Sequence, residues 1–224
     1  MTFSIVARCA STGMFGVAVS SSSPAVAARC AHARAGIGAV ASQNVTDPAL
    51  GRRALDLMAL GADAAEAIAV LRRTGGPMEY RQVLAVDAGG GAAIHSGPKA
   101  LGIWGEARAA DVACGGNLLA DAGVPRAMVD AFLGASGHLG DRLLTAMRAA
   151  LAAGGEAGPV HSAGLMLVRE VAWPVADLRV DWTEDCPIAA LATLWDLYRP
   201  QLDAYVTRAL DPTAAPSYGV PGDL

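Results

Sequence analysis

The chain has 224 residues, of which 53% are hydrophobic and only 5% aromatic, and its formal net charge is −4 at pH 7. This length suits one large domain, and the dispersed acidic balance argues against nucleic acid as a partner. No apolar run reaches the length of a membrane span and no signal-peptide pattern opens the chain, so we expect a cytoplasmic protein without a membrane partner.

Strand patterns open the chain and helical patterns follow. Residues 2–23 alternate apolar and polar side chains around the turn sequence STGMFG, which predicts a β-hairpin, and residues 35–43 predict a third strand. Residues 47–61 and 63–76 predict two helices, because each begins at an aspartate suited to the N-cap and ends at glycine.

The remainder of the chain also alternates between groups of strands and groups of helices. The predicted elements are a hairpin over 80–97 with a triple-glycine turn, a strand over 110–120, helices over 124–135 and 138–155, strands over 161–170 and 175–182, and a closing helix over 187–210 interrupted near Pro200.

Strands in clusters and helices in pairs differ from the strict alternation of a doubly wound parallel fold. We therefore predict an α+β fold: a four-layer αββα sandwich of two antiparallel sheets, with helix pairs on the outer faces. We expect a single domain over residues 1–210 and a loose, Pro- and Gly-containing tail over 211–224. The exposed edges of paired sheets suggest a homodimer.

The cysteines and histidines show no metal-binding pattern. Cys9, Cys30, Cys114 and Cys186 lie far apart without a CxxC pair, and the four histidines lack HxH or HExxH spacing. We therefore predict buried, reduced thiols, no metal and no cofactor.

Several segments together are similar to one bacterial family. They are residues 2–8, 16–27, 34–43, 79–83, 115–119, 161–165 and 177–181. They resemble the family catalogued as domain of unknown function 1028, which is placed among the N-terminal-nucleophile (Ntn) hydrolases. The resemblance implies the αββα fold and amide-type hydrolysis, and it supplies no substrate.

The layout is also similar, more distantly, to that of proteasome β-type subunits. The likeness rests on a threonine opening the first strand, a basic residue, Arg34, opening the third, the turn CGGNLL and the later turn VHSAG. Proteasome subunits have lysine where this chain has Arg34 and an aspartate where it has its serine run. The acidic-basic pair that precedes the late serine in the nearer family is reduced here to Glu156, with His161 beside Ser162.

Thr2 is the candidate nucleophile. Met aminopeptidases generally remove the initiator before a small residue, which would give Thr2 a free α-amine. That amine, with an ordinary pKa near 7.7–8.0, could accept the hydroxyl proton and later donate to the leaving group. A cation such as Arg34 would favour the neutral amine. The alternative is that Thr2 is only the first polar residue of an edge strand.

Other polar residues could complete the site. Gly116, through its backbone N–H, and Asn117, through its amide, could form an oxyanion hole, or Asn117 could cap the following segment. Ser162 and Ser21 of the run 20–23 could orient the amine, or their hydroxyls could satisfy turn backbone.

Two further residues interrupt apolar patterns. Gln43 ends a buried strand and Arg81 opens another; each could contact a small-molecule substrate or anchor a buried backbone group. The alternating DLRVD of residues 177–181 favours an ion-pair ladder over a substrate role.

Three hypotheses follow. The first is an Ntn amidohydrolase that cleaves the amide-type C–N bond of a small substrate through Thr2. The second is a non-catalytic relative, in which the sandwich serves as a ligand-binding or assembly module. The third, a hydrolase with Cys30 or Cys114 as nucleophile, lacks a histidine placed by sequence to activate either thiol.

Overall fold

The computed structural model describes residues 1–220, which form ten strands and seven helices. The strands are β1 (Thr2–Arg8), β2 (Phe15–Ser21), β3 (Ala31–Arg34), β4 (Gly38–Gln43), β5 (Gln82–Asp87), β6 (Ala92–Ser96), β7 (Gly105–Ala109), β8 (Val112–Asn117), β9 (Ser162–Val168) and β10 (Ala176–Val180). The helices are α1 (Ala27–Cys30), α2 (Pro48–Ala59), α3 (Ala64–Thr74), α4 (Val124–Gly134), α5 (Leu139–Ala152), α6 (Pro187–Tyr198) and α7 (Leu202–Leu210).

The strands form two antiparallel sheets. The six-stranded sheet has the order β10-β9-β2-β1-β8-β7, and the four-stranded sheet has the order β3-β4-β5-β6. The predicted opening hairpin is present, with Phe3 opposite Ser20 and Arg8 opposite Phe15. The predicted α+β class with two antiparallel sheets is therefore confirmed.

Alternation along the strands places helices on the outer face of each sheet. In β1, Phe3 and Ile5 pack in the cluster that includes α4, α5 and α6, whereas Val6 packs between the sheets. In β5, Val83 packs with α2 and α3, whereas Leu84 packs between the sheets. Because strand side chains alternate between faces, the layers run helices, four-stranded sheet, six-stranded sheet, helices.

The N-caps predicted for the first two long helices, α2 and α3, are confirmed. The Asp47 side chain accepts the Ala49 N–H at 3.0 Å, and Asp63 and Glu66 form the reciprocal capping box at 2.8 and 2.9 Å. The closing helix divides into α6 and α7 at a 3₁₀ turn, Arg199–Gln201, that contains Pro200.

Three elements were not predicted from the sequence: α1, β3 and β7. In the predicted tail, Pro212–Ala214 form a 3₁₀ turn and the Arg208 guanidinium lies 3.6 Å from the Tyr218 ring centroid; residues 221–224 lie outside the described part of the chain. Within residues 1–220, none of the helices has the length and apolar character needed to cross a membrane.

Candidate functional site

Thr2 begins a central strand rather than an edge strand. β1 lies between β2 and β8, and Thr2 is opposite Asn117 in β8. Thr2 shares the inner face of its strand with Ser4 and Val6, and only 7% of it is exposed. Its hydroxyl is therefore held at one end of the space between the two sheets.

A cavity of about 290 Å³ opens at this point. Its lining residues come from two strands of the six-stranded sheet, from α1 and from the neighbouring loops: Met1, Thr2, Ser23, Arg29, Cys30, Asn44, Val45, Thr46, Leu101 and Asn117. We call it the Thr2 cavity.

The loop after β4 forms one wall of this cavity. Asn44 and Val45 have left-handed φ values of 58° and 50°. The Asn44 side chain joins two loops, since it donates to the Tyr80 carbonyl at 2.5 Å and accepts the Leu101 N–H at 3.1 Å.

Ser21 is the serine of the run that meets Thr2. The Thr2 and Ser21 hydroxyl oxygens are 3.4 Å apart, and both hydroxyls donate to the Met1 carbonyl. The Ser23 N–H donates to the Ser21 hydroxyl at 3.0 Å, which fixes its position. Removal of Met1 would therefore leave the new Thr2 amine bordered by the Ser21 hydroxyl.

Ser162 supports this arrangement from the neighbouring strand. It lies opposite Ser21 in β9, donates to the Ser23 carbonyl at 2.6 Å and accepts the Val26 N–H at 3.3 Å. Its hydroxyl thus holds the turn after β2, and no hydrogen bond joins it to Thr2.

Of the two donors predicted in the turn CGGNLL, only the Asn117 amide lines the cavity. Gly116 lies between Phe3 of β1 and Gly105 of β7, so its backbone N–H belongs to the sheet ladder. Asn117, in contrast, lines the cavity, and its Nδ2 donates to the Thr2 carbonyl at 3.4 Å. A contact this long is easily exchanged for one to a ligand.

Arg34 is not brought to Thr2. It lies at the far end of β3, three residues and about 10 Å along the strand from Ala31, and pairs with Asp56 of α2 at 2.7 Å. The arginine that lines the Thr2 cavity is Arg29, in the unpredicted helical turn α1, where it donates to the Pro24 carbonyl at 2.7 Å. Because the sequence did not predict α1, Arg29 was not identified as the basic residue of the cavity.

Gln43 anchors a buried polar chain between the sheets. Its Nε2 donates to Gln82 Oε1 at 2.8 Å and to the Gly115 carbonyl at 3.2 Å, and Gln82 donates in turn to Ser96 at 2.9 Å. Arg81 precedes Gln82 and so faces the opposite side of the strand; it does not line the Thr2 cavity. Of the two roles considered for Gln43, anchoring is the one these contacts describe.

Glu156 is the residue whose role the sequence left open. It is 5% exposed, and its two carboxyl oxygens accept the Ser22 N–H at 3.2 and 3.3 Å. Burial raises the pKa of Glu156 to about 7, against the charge of the Met1 amine and the hydrogen bond from Ser22, both of which favour ionisation. The only sequence signal was an acid in a glycine-rich turn.

His161 is close enough to act on this acid through its charge. Its Nδ1 donates to the Thr183 carbonyl at 2.9 Å, and its ring stacks on Trp182 with 4.3 Å between the centroids. Its charge, when present, also lowers the pKa of Glu156. Within residues 1–220, no three His, Cys, Asp or Glu side chains stand together as metal ligands.

A family model and a solved structure of the same family are similar to this chain over most of its length. The Family of unknown function (DUF1028) matches residues 2–191. The chain belongs to this family. The crystal structure of protein SPO2555 from Silicibacter pomeroyi, a DUF1028 protein, is 30% identical with a TM-score of 0.81 and covers 88% of each chain.

A more remote likeness shows nothing about catalysis. The Anbu protein (ancestral beta-subunit) from Yersinia bercovieri is 12% identical with a TM-score of 0.39, over 91% of this chain and 97% of that one. Among curated proteins, none matches the chain. Membership of the DUF1028 family therefore comes without an assigned reaction.

Proposed function

We propose that this protein is an N-terminal-nucleophile amide hydrolase of a small substrate, with Thr2 as the nucleophile after removal of Met1. The observation that carries the proposal is the buried Thr2 hydroxyl, 3.4 Å from Ser21 Oγ, on the wall of a cavity that also contains the Asn117 amide. A hydroxyl, a second hydroxyl to orient an amine, and an amide donor are the groups that acyl transfer requires.

The proposed reaction has two halves. The free Thr2 amine takes the proton of the Thr2 hydroxyl, whose oxygen attacks the substrate carbonyl, and the Asn117 amide donates to the oxyanion. The amine then gives its proton to the leaving nitrogen as the C–N bond breaks. Water, deprotonated by the same amine, hydrolyses the resulting ester and restores Thr2.

Glu156 opposes or permits this chemistry according to its own charge. An ionised carboxylate stabilises a neighbouring ammonium, which cannot act as a base. When Glu156 is protonated, that stabilisation is absent and the amine is freed to accept a proton. Arg29, the arginine on the cavity wall, replaces Arg34 as the cation that favours the neutral amine.

A second candidate function, a non-catalytic ligand-binding module, is favoured by the same carboxylate. A permanently ionised Glu156 would hold the Thr2 amine as ammonium, and the cavity would then bind a ligand without cleaving it. The two candidates differ in turnover.

The wild type and two variants of Thr2 test the proposal. Intact mass first establishes that Met1 is absent from the wild type, Thr2→Ser and Thr2→Val. Against a library of small amides, we expect turnover by the wild type and by Thr2→Ser, and a loss of about 10³-fold or more in Thr2→Val, which keeps the shape without the hydroxyl. Equal turnover by Thr2→Val, or Met1 retained on an active enzyme, refutes the assignment. Binding without turnover in all three supports the second candidate.

A further inference from the structure

A second, larger cavity lies on the other side of α1. While Arg29 and Cys30 of this helical turn line the Thr2 cavity, Ala27 and Ala28 line a cavity of about 400 Å³ between α2 and β10. We call it the α2–β10 cleft. Its volume is within the range of about 300–1,000 Å³ typical of small-molecule sites, and Ala31 and Ala33 of β3 contribute only small side chains to its wall.

Two of the four charged side chains that line the α2–β10 cleft are already paired. Arg34 pairs with Asp56 at 2.7 Å, and Arg179 pairs with Asp181 at 3.0 Å. His32 also lines the cleft; its burial, together with the nearby charge of Arg52, lowers the pKa of this imidazole, so it is neutral at pH 7. These three side chains are therefore paired or neutral and need no charged ligand.

Two charges of opposite sign are left. Arg52 projects from α2 and Asp177 from β10, and within residues 1–220 neither side chain has a hydrogen bond or an ion pair within 4 Å, including to the other. Desolvation raises the pKa of Asp177, against the charge of Arg179 and with that of Asp181.

We propose that the α2–β10 cleft binds a small zwitterion, a dipeptide or similar molecule, with its carboxylate on Arg52 and its ammonium on Asp177. Both side chains are exposed. A ligand with a single charge can pair with only one of them, whereas a ligand with both charges can contact the two walls together. Guanidinium suits a carboxylate because it donates two parallel hydrogen bonds. This site is independent of the proposed chemistry at Thr2.

Three probes and two cleft variants test the proposal by titration calorimetry. The probes are alanyl-alanine, N-acetyl-alanyl-alanine, which lacks the ammonium, and alanyl-alanine amide, which lacks the carboxylate. All proteins carry Thr2→Val, so that the proposed hydrolase activity cannot consume a probe. The cleft variants are Arg52→Gln and Asp177→Asn. The controls are Arg53→Gln, also on α2 but bonded to Thr74, and Asp130→Asn on α4.

We expect alanyl-alanine to bind about tenfold more tightly than either blocked probe, the effect of one charge-assisted contact. Arg52→Gln should remove the preference over the amide, and Asp177→Asn should remove the preference over the acetylated probe, with the controls unchanged. Failure of alanyl-alanine to bind, equal binding of all three probes, or equal losses in the controls overturns the proposal. Tight binding of the acetylated probe also overturns it, since the cleft would then be a simple anion site.

Discussion

Because of Glu156, the free energy of unfolding of the protein should fall as the pH rises from acid to neutral. In the chain that carries Met1, the pKa of this buried carboxyl is raised from 4.5 to about 7. The folded state therefore binds more protons than the unfolded state between these values, and its stability declines across that range as the pH increases. At about 1.4 kcal/mol for each pKa unit, the loss is about 3 kcal/mol and is complete above neutral pH.

The substitution Glu156→Gln should remove this loss. The amide stays neutral, and its oxygen can still accept the Ser22 N–H. We expect the variant to be more stable than the wild type by about 2–3 kcal/mol at pH 8 and nearly equal to it at pH 4.5. Urea unfolding at both pH values measures the difference, with intact mass to verify the terminus and Glu79→Gln, at an exposed site, as control. A variant that is less stable at pH 8, or a difference that does not change with pH, refutes the reasoning.

Three further predictions concern packing, the polar chain and the thiols. Gly51→Ala should cost about 1–3 kcal/mol in thermal unfolding because the new methyl would overlap the His32 ring, whereas Gly134→Ala, with no atom within 4 Å, should be neutral or gain about 0.5 kcal/mol; equal effects would contradict this. Gln43→Met should cost about 2 kcal/mol or more, since Gln82 Oε1 and the Gly115 carbonyl lose their donor. Gln201→Met, at an exposed position, should cost little; similar urea midpoints for the two variants would argue against a structural role for Gln43. Iodoacetamide at pH 8 should label exposed Cys186 before Cys30 and Cys114, whose pKa values are raised by burial, as peptide mass spectrometry can show; early labelling of Cys30 accompanied by loss of turnover would favour a cysteine nucleophile.

The sequence predicts the layers of this fold well because its strongest signals are local. The capping aspartates before α2 and α3 and the alternation in β1 and β2 depend on neighbours a few residues away. Short elements have no such signal: α1 and β3 span four residues each, within an alanine-rich stretch that shows neither period clearly. Because these elements were not predicted, Arg34 was placed at the start of the third strand, whereas it is the last residue of β3.

The candidate site is less predictable because it depends on pairing between distant segments. Thr2 and Asn117 face each other through strand register, and Glu156 reaches Ser22 from a turn more than 130 residues away. Neither the strand pairing nor the Glu156 contact produces a periodic pattern that could be recognised in a single sequence. Ser162 illustrates the ambiguity. Its hydroxyl was predicted either to orient the Thr2 amine or to satisfy turn backbone, and it donates to the Ser23 carbonyl of the turn, two strands from Thr2.

The amide chain from Gln43 through Gln82 to Ser96 has a consequence for how the two sheets can move. Its members belong to the four-stranded sheet, while Gln43 and Gln82 also donate to the Gly115 and Gly105 carbonyls of the six-stranded sheet, at 3.2 and 3.1 Å. A slide of one sheet over the other by a single residue would separate both buried donors from their carbonyls. Apolar side chains alone would resist such sliding only weakly. The two glutamines therefore hold the sheets in register, and the Thr2 cavity beside them is shaped by two uncharged hydrogen bonds between the sheets.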